Sequence, residues 1–99
     1  MKRSSPAYKA VKASKGNVLS LKEKNTLIKL MKNEGFKKVR GSTPNWTSFG
    51  SESMMVVVQI FKKEKSPSTY ETVMTETKNH KEFLDTANDV SKNMIFETY

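Results

Sequence analysis

The run Met54-Met55-Val56-Val57-Val58-Gln59-Ile60-Phe61 constrains the fold more than any other segment. Its three consecutive Val and one Ile favour extended chain over helix, and its length suits a strand. Side chains alternate along a strand. Met54, Val56, Val58 and Ile60 therefore share one face, while Met55, Val57, Gln59 and Phe61 share the other. A strand apolar on both faces belongs in the middle of a sheet. The chain has only 99 residues, 35% of them apolar, so one small core is all it can build. The neighbours of this strand must come from nearby sequence.

They are readily found. Lys62 to Lys65 carries the strand into solvent, and Ser66-Pro67-Ser68 turns it. Tyr70 to Thr77, rich in Thr, is the returning strand of a hairpin. Upstream, Trp46 to Phe49 forms a strand bounded by the turns Gly41–Asn45 and Gly50–Ser53, and Phe36 to Arg40 forms a shorter one with Val39 inward. Ser20-Leu21-Lys22-Glu23 is a capping box that starts a helix over 20–34. Leu27, Ile28, Leu30 and Met31 are its apolar stripe, and Gly35-Phe36 supplies the left-handed stop and the hydrophobic fold-back. Asn79 caps a second helix whose stripe is Phe83, Ala87, Val90 and Met94, joined by Leu84. Ile95 and Phe96 beyond it fit either sheet packing or an edge strand.

The expected fold is α+β, a two-layer sandwich in helix–strand–strand–strand–helix order. Short connections make the three strands antiparallel, and both helices cover one face. The other face, with Met55, Val57 and Phe61, is then open to a partner protein or a second copy of the chain, unless residues 1–18 or 94–99 cover it. Residues 1–18 read as a flexible basic arm, broken by Pro6, Gly16 and three Ser, with one transient helical turn around Ala7 to Ala13, ahead of a single domain over 19–99.

The charge is unevenly distributed. Residues 1–40 hold 12 Lys or Arg against Glu23 and Glu34, a local balance of +10, whereas residues 41–99 hold six against eight acids, a balance of −2. Such an end faces a polyanion or is simply a solvated surface. Sixteen of the 18 basic residues are Lys. Lys is a mobile point charge, while Arg reads guanine edges bidentately, so any nucleic-acid contact should be backbone-directed with low sequence specificity. The candidate contacts are Lys2, Arg3, Lys9, Lys12 and Lys15 on the arm, with Lys37, Lys38 and Arg40 on the short strand. Trp46 follows that patch, and is either a base-stacking platform or the anchor of the core.

Catalytic chemistry finds little material. With no Cys, disulfides, thiolate metal sites and thiol nucleophiles are excluded, and a single His builds no multi-His site. His80 has no obvious nucleophile or orienting partner, and Asp85 and Asp89 read as a solvated stripe. Neither Gly-rich phosphate-loop pattern occurs. No enzyme activity, cofactor or metal is expected. No segment approaches the roughly 20 apolar residues of a membrane span, and no apolar signal segment opens the chain. The expected setting is cytoplasmic, with no membrane partner.

The element order resembles the double-stranded RNA-binding fold. The stretch from Leu27 to Ser42, a helix running into Gly35-Phe36, a strand and Gly41-Ser42, is similar to the opening of HicA-type mRNA interferase toxins, which share that fold. In that family a catalytic His follows the Gly-Ser pair. Here the position is Thr43, and the only His, His80, lies on another element. The resemblance implies the fold and speaks against the nuclease activity.

The functional expectation is a non-enzymatic protein that binds nucleic acid, DNA or RNA. The alternative is a small phage-type protein that binds and inhibits or redirects a host protein, docking on an acidic surface or through Met55, Val57 and Phe61.

Overall fold

The apolar run does lie at the centre of an antiparallel sheet, and the sheet has five strands rather than three. A computed structural model describes residues 6–14, 18–39, 42, 45–65 and 67–89. In chain order its elements are α1 (Pro6–Ser14), β1 (Val18–Ser20), α2 (Leu21–Asn33), β2 (Lys37–Lys38), β3 (Trp46–Ser51), β4 (Val56–Lys65), β5 (Ser68–Glu76) and α3 (His80–Ala87). The strand order is β1-β5-β4-β3-β2. Strands β2 to β5 form a simple meander, while β1 closes the far edge by pairing Leu19 with Tyr70.

β4 behaves as its composition requires. Val56, Val57, Val58, Gln59, Ile60 and Phe61 are all buried. Val58 pairs with Phe49 on one side and Met74 on the other. The face of Val56, Val58 and Ile60 carries the larger core, built with Phe49, Leu27, Met31, Phe36, Tyr70 and Leu19. Burying each such side chain contributes roughly 1.5–3 kcal/mol.

The helix caps follow the residues that encode them. The Ser20 hydroxyl accepts from the Glu23 amide at 3.2 Å, and the Ser20 amide donates to Glu23 Oε1 at 3.0 Å. At the other end of α2, Gly35 adopts φ +92°, the Phe36 amide donates to the Met31 carbonyl at 3.0 Å, and Gly35 donates to Lys32 at 3.1 Å. That is a Schellman cap, and Phe36 and Met31 are both buried in the same core. At α3, Asn79 Oδ1 accepts from the Glu82 amide at 2.8 Å.

Three expectations need correction. The first is the flexible arm over residues 1–18. Residues 6–14 are α1, and its Ala7, Tyr8 and Val11 are buried in the main core. Pro6 sits at the first helical position, where its missing N–H costs nothing. Nine residues make a marginal helix alone, so burial of Tyr8 and Val11 supplies what propensity lacks. The Tyr8 hydroxyl donates to Glu76 Oε1 at 3.2 Å, and Ser14 Oγ lies 3.1 Å from Thr72 Oγ1. Residues 1–5 and 15–17 lie outside the described residues.

The second is the three-stranded, two-layer sandwich. α1 and α2 cover one face, but α3 packs on the opposite face, so helices flank the sheet on both sides. Phe83 and Ala87 join Val57 in a separate smaller core, with Val39 and Met55 against it, instead of meeting Val58. Gly50 makes room for this. A Cβ there would stand 2.7 Å from Phe83 Cζ, so the ring occupies the space that a side chain would take. Gln59, the one polar residue of the central run, donates its side-chain amide to the carbonyls of Thr86 and Asp89 at 3.1 and 3.0 Å. Ser48 Oγ donates to the Ala87 carbonyl at 2.8 Å. The last carbonyls of a helix have no partner within it. Here the sheet supplies those partners, and the buried amide is satisfied in the same contacts.

The third correction concerns the open apolar face. Val57 and Phe61 are buried and Met55 is half-buried. The face expected to receive a partner protein or form a homodimer is therefore covered. The question of a strand at residues 94–99 lies outside the described residues, as do Val90 and Met94.

Candidate nucleic-acid interface

Helical periodicity sorts the lysines of α2 onto its outer side. Leu27 and Met31 point to the core. At about 100° per residue, Lys22, Asn25, Lys29 and Lys32 fall on the opposite side, and all four are exposed. Their spacing of three, four and three residues makes one stripe, about 15 Å long at 1.5 Å per residue. α1 repeats the arrangement on a smaller scale. Its Ala7 and Val11 face inward, while Lys9 and Lys12 are exposed on the outer side.

The two helices lie next to each other on the same sheet face, so these five lysines decorate one layer. Within α1 and α2 the only acid is Glu23. Its carboxylate is engaged in the capping box, and its pKa lies below the ordinary Glu value, first because the Ser20 amide donates to it and then because of the Ser20 hydroxyl. Lys24 is half-buried, with its ammonium 4.2 Å from the Tyr70 ring centroid, a cation–π contact that ties it down. Lys12 lies 5.7 Å from the Tyr8 ring, at the edge of that range.

The opposite layer has a different character. On and beside α3, Lys78 and Lys81 occur with Glu82, Asp85 and Asp89 in the same short stretch. His80, at the first position of α3, is exposed and stacks on Phe83 with 6.4 Å between ring centroids. Among the described residues the sheet thus separates a surface carrying exposed Lys9, Lys12, Lys22, Lys29 and Lys32 from a mixed one.

The residues expected to bind nucleic acid are distributed unevenly. Lys9 and Lys12 sit in the basic layer, on a helix rather than an arm. Lys37 and Lys38 are exposed on β2, but they pair with Gly50 and Phe49 and so point to opposite faces. Only Lys38 leans toward the α1–α2 side. Lys2, Arg3, Lys15 and Arg40 lie outside the described residues. Trp46 is 1% exposed and pairs with Phe61 across β3 and β4, so it is a core anchor and presents no ring face for a base to stack on. Lys22, Lys29 and Lys32 were not among the expected contacts. The signal for them was present in the sequence, as the polar complement of the Leu27–Met31 stripe.

A trough runs between α1 and α2, of about 480 Å³, lined by Ala10, Ser14, Leu19, Lys22, Glu23, Thr26, Leu27 and Leu30. On the other side of the sheet, a cleft of about 420 Å³ lies between the β2 edge and α3, with Lys37, Val39, Phe83 and Asn88 on its walls. Among the described residues, no helix is long and apolar enough to cross a membrane. No protein-family model matches this chain, and no curated protein or solved structure shows significant similarity to it.

Proposed function

We propose that this protein binds nucleic acid without catalysis, through the phosphate backbone, using the outer surface of α1 and α2. The observation that carries the reading is the layer of exposed Lys9, Lys12, Lys22, Lys29 and Lys32, with Glu23 the only acid in either helix. Lysines held on rigid helices neutralise phosphates and release condensed counterions, which gives affinity without base reading.

The test is a titration of labelled random duplex and random single strand at two salt concentrations. Five phosphate contacts on a duplex predict a log–log salt slope of roughly −4 to −5. The triple variant Lys22→Gln, Lys29→Gln, Lys32→Gln should fold normally, since all three side chains are exposed, and should flatten the slope by about 3. Affinity should differ little between unrelated duplexes. Deleting residues 1–18 is the wrong test, because it also removes Ala7, Tyr8 and Val11 from the core. An absence of binding to either nucleic acid at low salt overturns the proposal.

A further inference from the structure

Phosphate contacts alone do not say whether a nucleic acid is paired or unpaired, but the position of the aromatic rings does. Every described Phe, Tyr and Trp is buried, and none is more than 5% exposed. Tyr8 belongs to α1 itself and Tyr70 lies under Lys24 of α2, and both rings are already engaged. The Tyr8 hydroxyl donates to Glu76 Oε1 at 3.2 Å, and Lys12 stands 5.7 Å from its ring centroid. The Tyr70 ring carries the Lys24 ammonium at 4.2 Å. The exposed imidazole of His80 is on the other layer, stacked on Phe83. Phe96 and Tyr99 lie outside the described residues. Among the described residues, the surface that bears Lys9, Lys12, Lys22, Lys29 and Lys32 therefore offers charge without an exposed aromatic face. Proteins that hold single strands combine a basic track with rings on which successive bases stack. Only the first of these is present on this surface.

We infer that this surface takes double-stranded nucleic acid in preference to single strands. The inference rests on the nucleic-acid reading above and names its substrate class. In a duplex the bases are already stacked on one another, and phosphate faces outward. Lys22, Lys29 and Lys32 form a row about 15 Å long on one rigid helix. That length of duplex axis carries about nine phosphate charges, against about four on one strand. A rigid row meets a rigid, dense array with little ordering of either. A single strand has to be ordered against the row, and no ring is at hand to offset that ordering through stacking. Glu23, next to Lys22, is taken up locally, since its carboxylate accepts from the Ser20 amide at 3.0 Å. None of these contacts needs a base edge, so DNA and RNA duplexes share the chemistry that is recognised.

The probes are a mixed-sequence duplex of about 18 base pairs and one of its own strands, chosen without self-complementarity, each made as DNA and as RNA. Each is titrated against the full chain by fluorescence anisotropy at one low salt concentration. The duplex should bind roughly tenfold more tightly than the strand, and the sugar that gives the tighter duplex identifies the source. A second arm adds the ring that the surface lacks. Asn25 is exposed in the row, between Lys22 and Lys29. Asn25→Trp should raise single-strand affinity about fivefold by stacking, whereas Asn25→Leu, apolar without an aromatic face, should not. Circular dichroism checks that both variants keep the parent fold. Equal or tighter binding of the strand by the parent protein overturns the inference and leaves the nucleic-acid reading standing. A Trp variant that gains no more than the Leu variant also overturns it, because stacking is then not what the surface lacks. Binding of the parent to neither duplex nor strand removes the nucleic-acid reading, and the inference with it.

Discussion

Val58→Asp is expected to leave no folded protein. Val58 is 0% exposed at the centre of β4, flanked in the sheet by Phe49 and Met74. The nearest elements supply Leu27, Met31 and Phe36, and no cation lies in that core. A buried carboxylate without a partner costs several kcal/mol, and a protonated one still lacks a hydrogen-bond partner. Domains are stable by only about 5–15 kcal/mol, and a chain of this size sits toward the low end. Circular dichroism and a thermal melt should show no cooperative transition, whereas Leu84→Asp, at a position 42% exposed on α3, should melt much like the parent. A soluble Val58→Asp variant with a sharp melt would refute the assignment of the main core.

The second large effect is expected at Gly50, and it tests where α3 lies. In an ordinary strand, replacing Gly with a β-branched residue stabilises the fold, because Gly has the most backbone freedom to lose. Here the new side chain would collide with the Phe83 ring, whose Cζ is 2.7 Å from the Cβ position. Gly50→Val should therefore destabilise by roughly 1–3 kcal/mol, the range for forcing extra volume into a packed site. The sign is the test. In a Phe83→Ala background the same substitution should cost far less, giving a coupling of about 1–3 kcal/mol in a double-mutant cycle. Denaturant unfolding of the four proteins measures it. An unchanged or raised stability in Gly50→Val alone would mean that α3 does not pack on this face.

What could be read from the residues was whatever is encoded locally. The capping box at Ser20 and Glu23, the stop at Gly35, the cap at Asn79 and the alternation of β4 each depend on a few adjacent side chains, and each appears in the structure. The N-terminal segment reads as no more than a transient helical turn, because what makes it a stable helix is distant. Ala7, Tyr8 and Val11 make a three-residue stripe, too little to identify a helix among Pro6 and several Ser. What holds it is a sheet face and Glu76, far along the chain. β1 escaped notice because three residues ahead of a helix cap carry no alternation to detect.

The placement of α3 was also beyond local reading, because an apolar stripe does not state which face it will meet. One clue was present. Gln59 in an otherwise apolar run called for carbonyl partners, and Gly50, expected to open a turn, is instead a residue of β3 where Phe83 approaches closely. The site was legible in part. The charge imbalance of residues 1–40 pointed to the right half of the chain, but the patch at Lys37 to Arg40 drew attention away from α2. Clusters in sequence are conspicuous on paper, whereas a strand divides them between its two faces and a helix gathers residues three and four apart.

The closing of the sheet by β1 also orders its assembly in time. Strands β2 to β5 join through short turns, so each pairing closes a small loop. β1 pairs Val18 with Glu71, more than 50 residues away, and α1 reaches across to Glu76. Loop-closure entropy grows with the logarithm of the separation, and distant contacts form late. The meander and α2 should therefore fold first, with α1 and β1 docking last as one unit. The same unit should open first, below the threshold of global unfolding. Native-state hydrogen exchange is expected to show α1 and β1 amides exchanging together at a lower free energy than those of β4, and equal protection would argue for a single cooperative unit. Two of the five lysines of the basic layer, Lys9 and Lys12, then belong to the most readily released piece of the fold. Anything that binds both helices at once acts as a clasp on it, and slows the opening of the whole molecule.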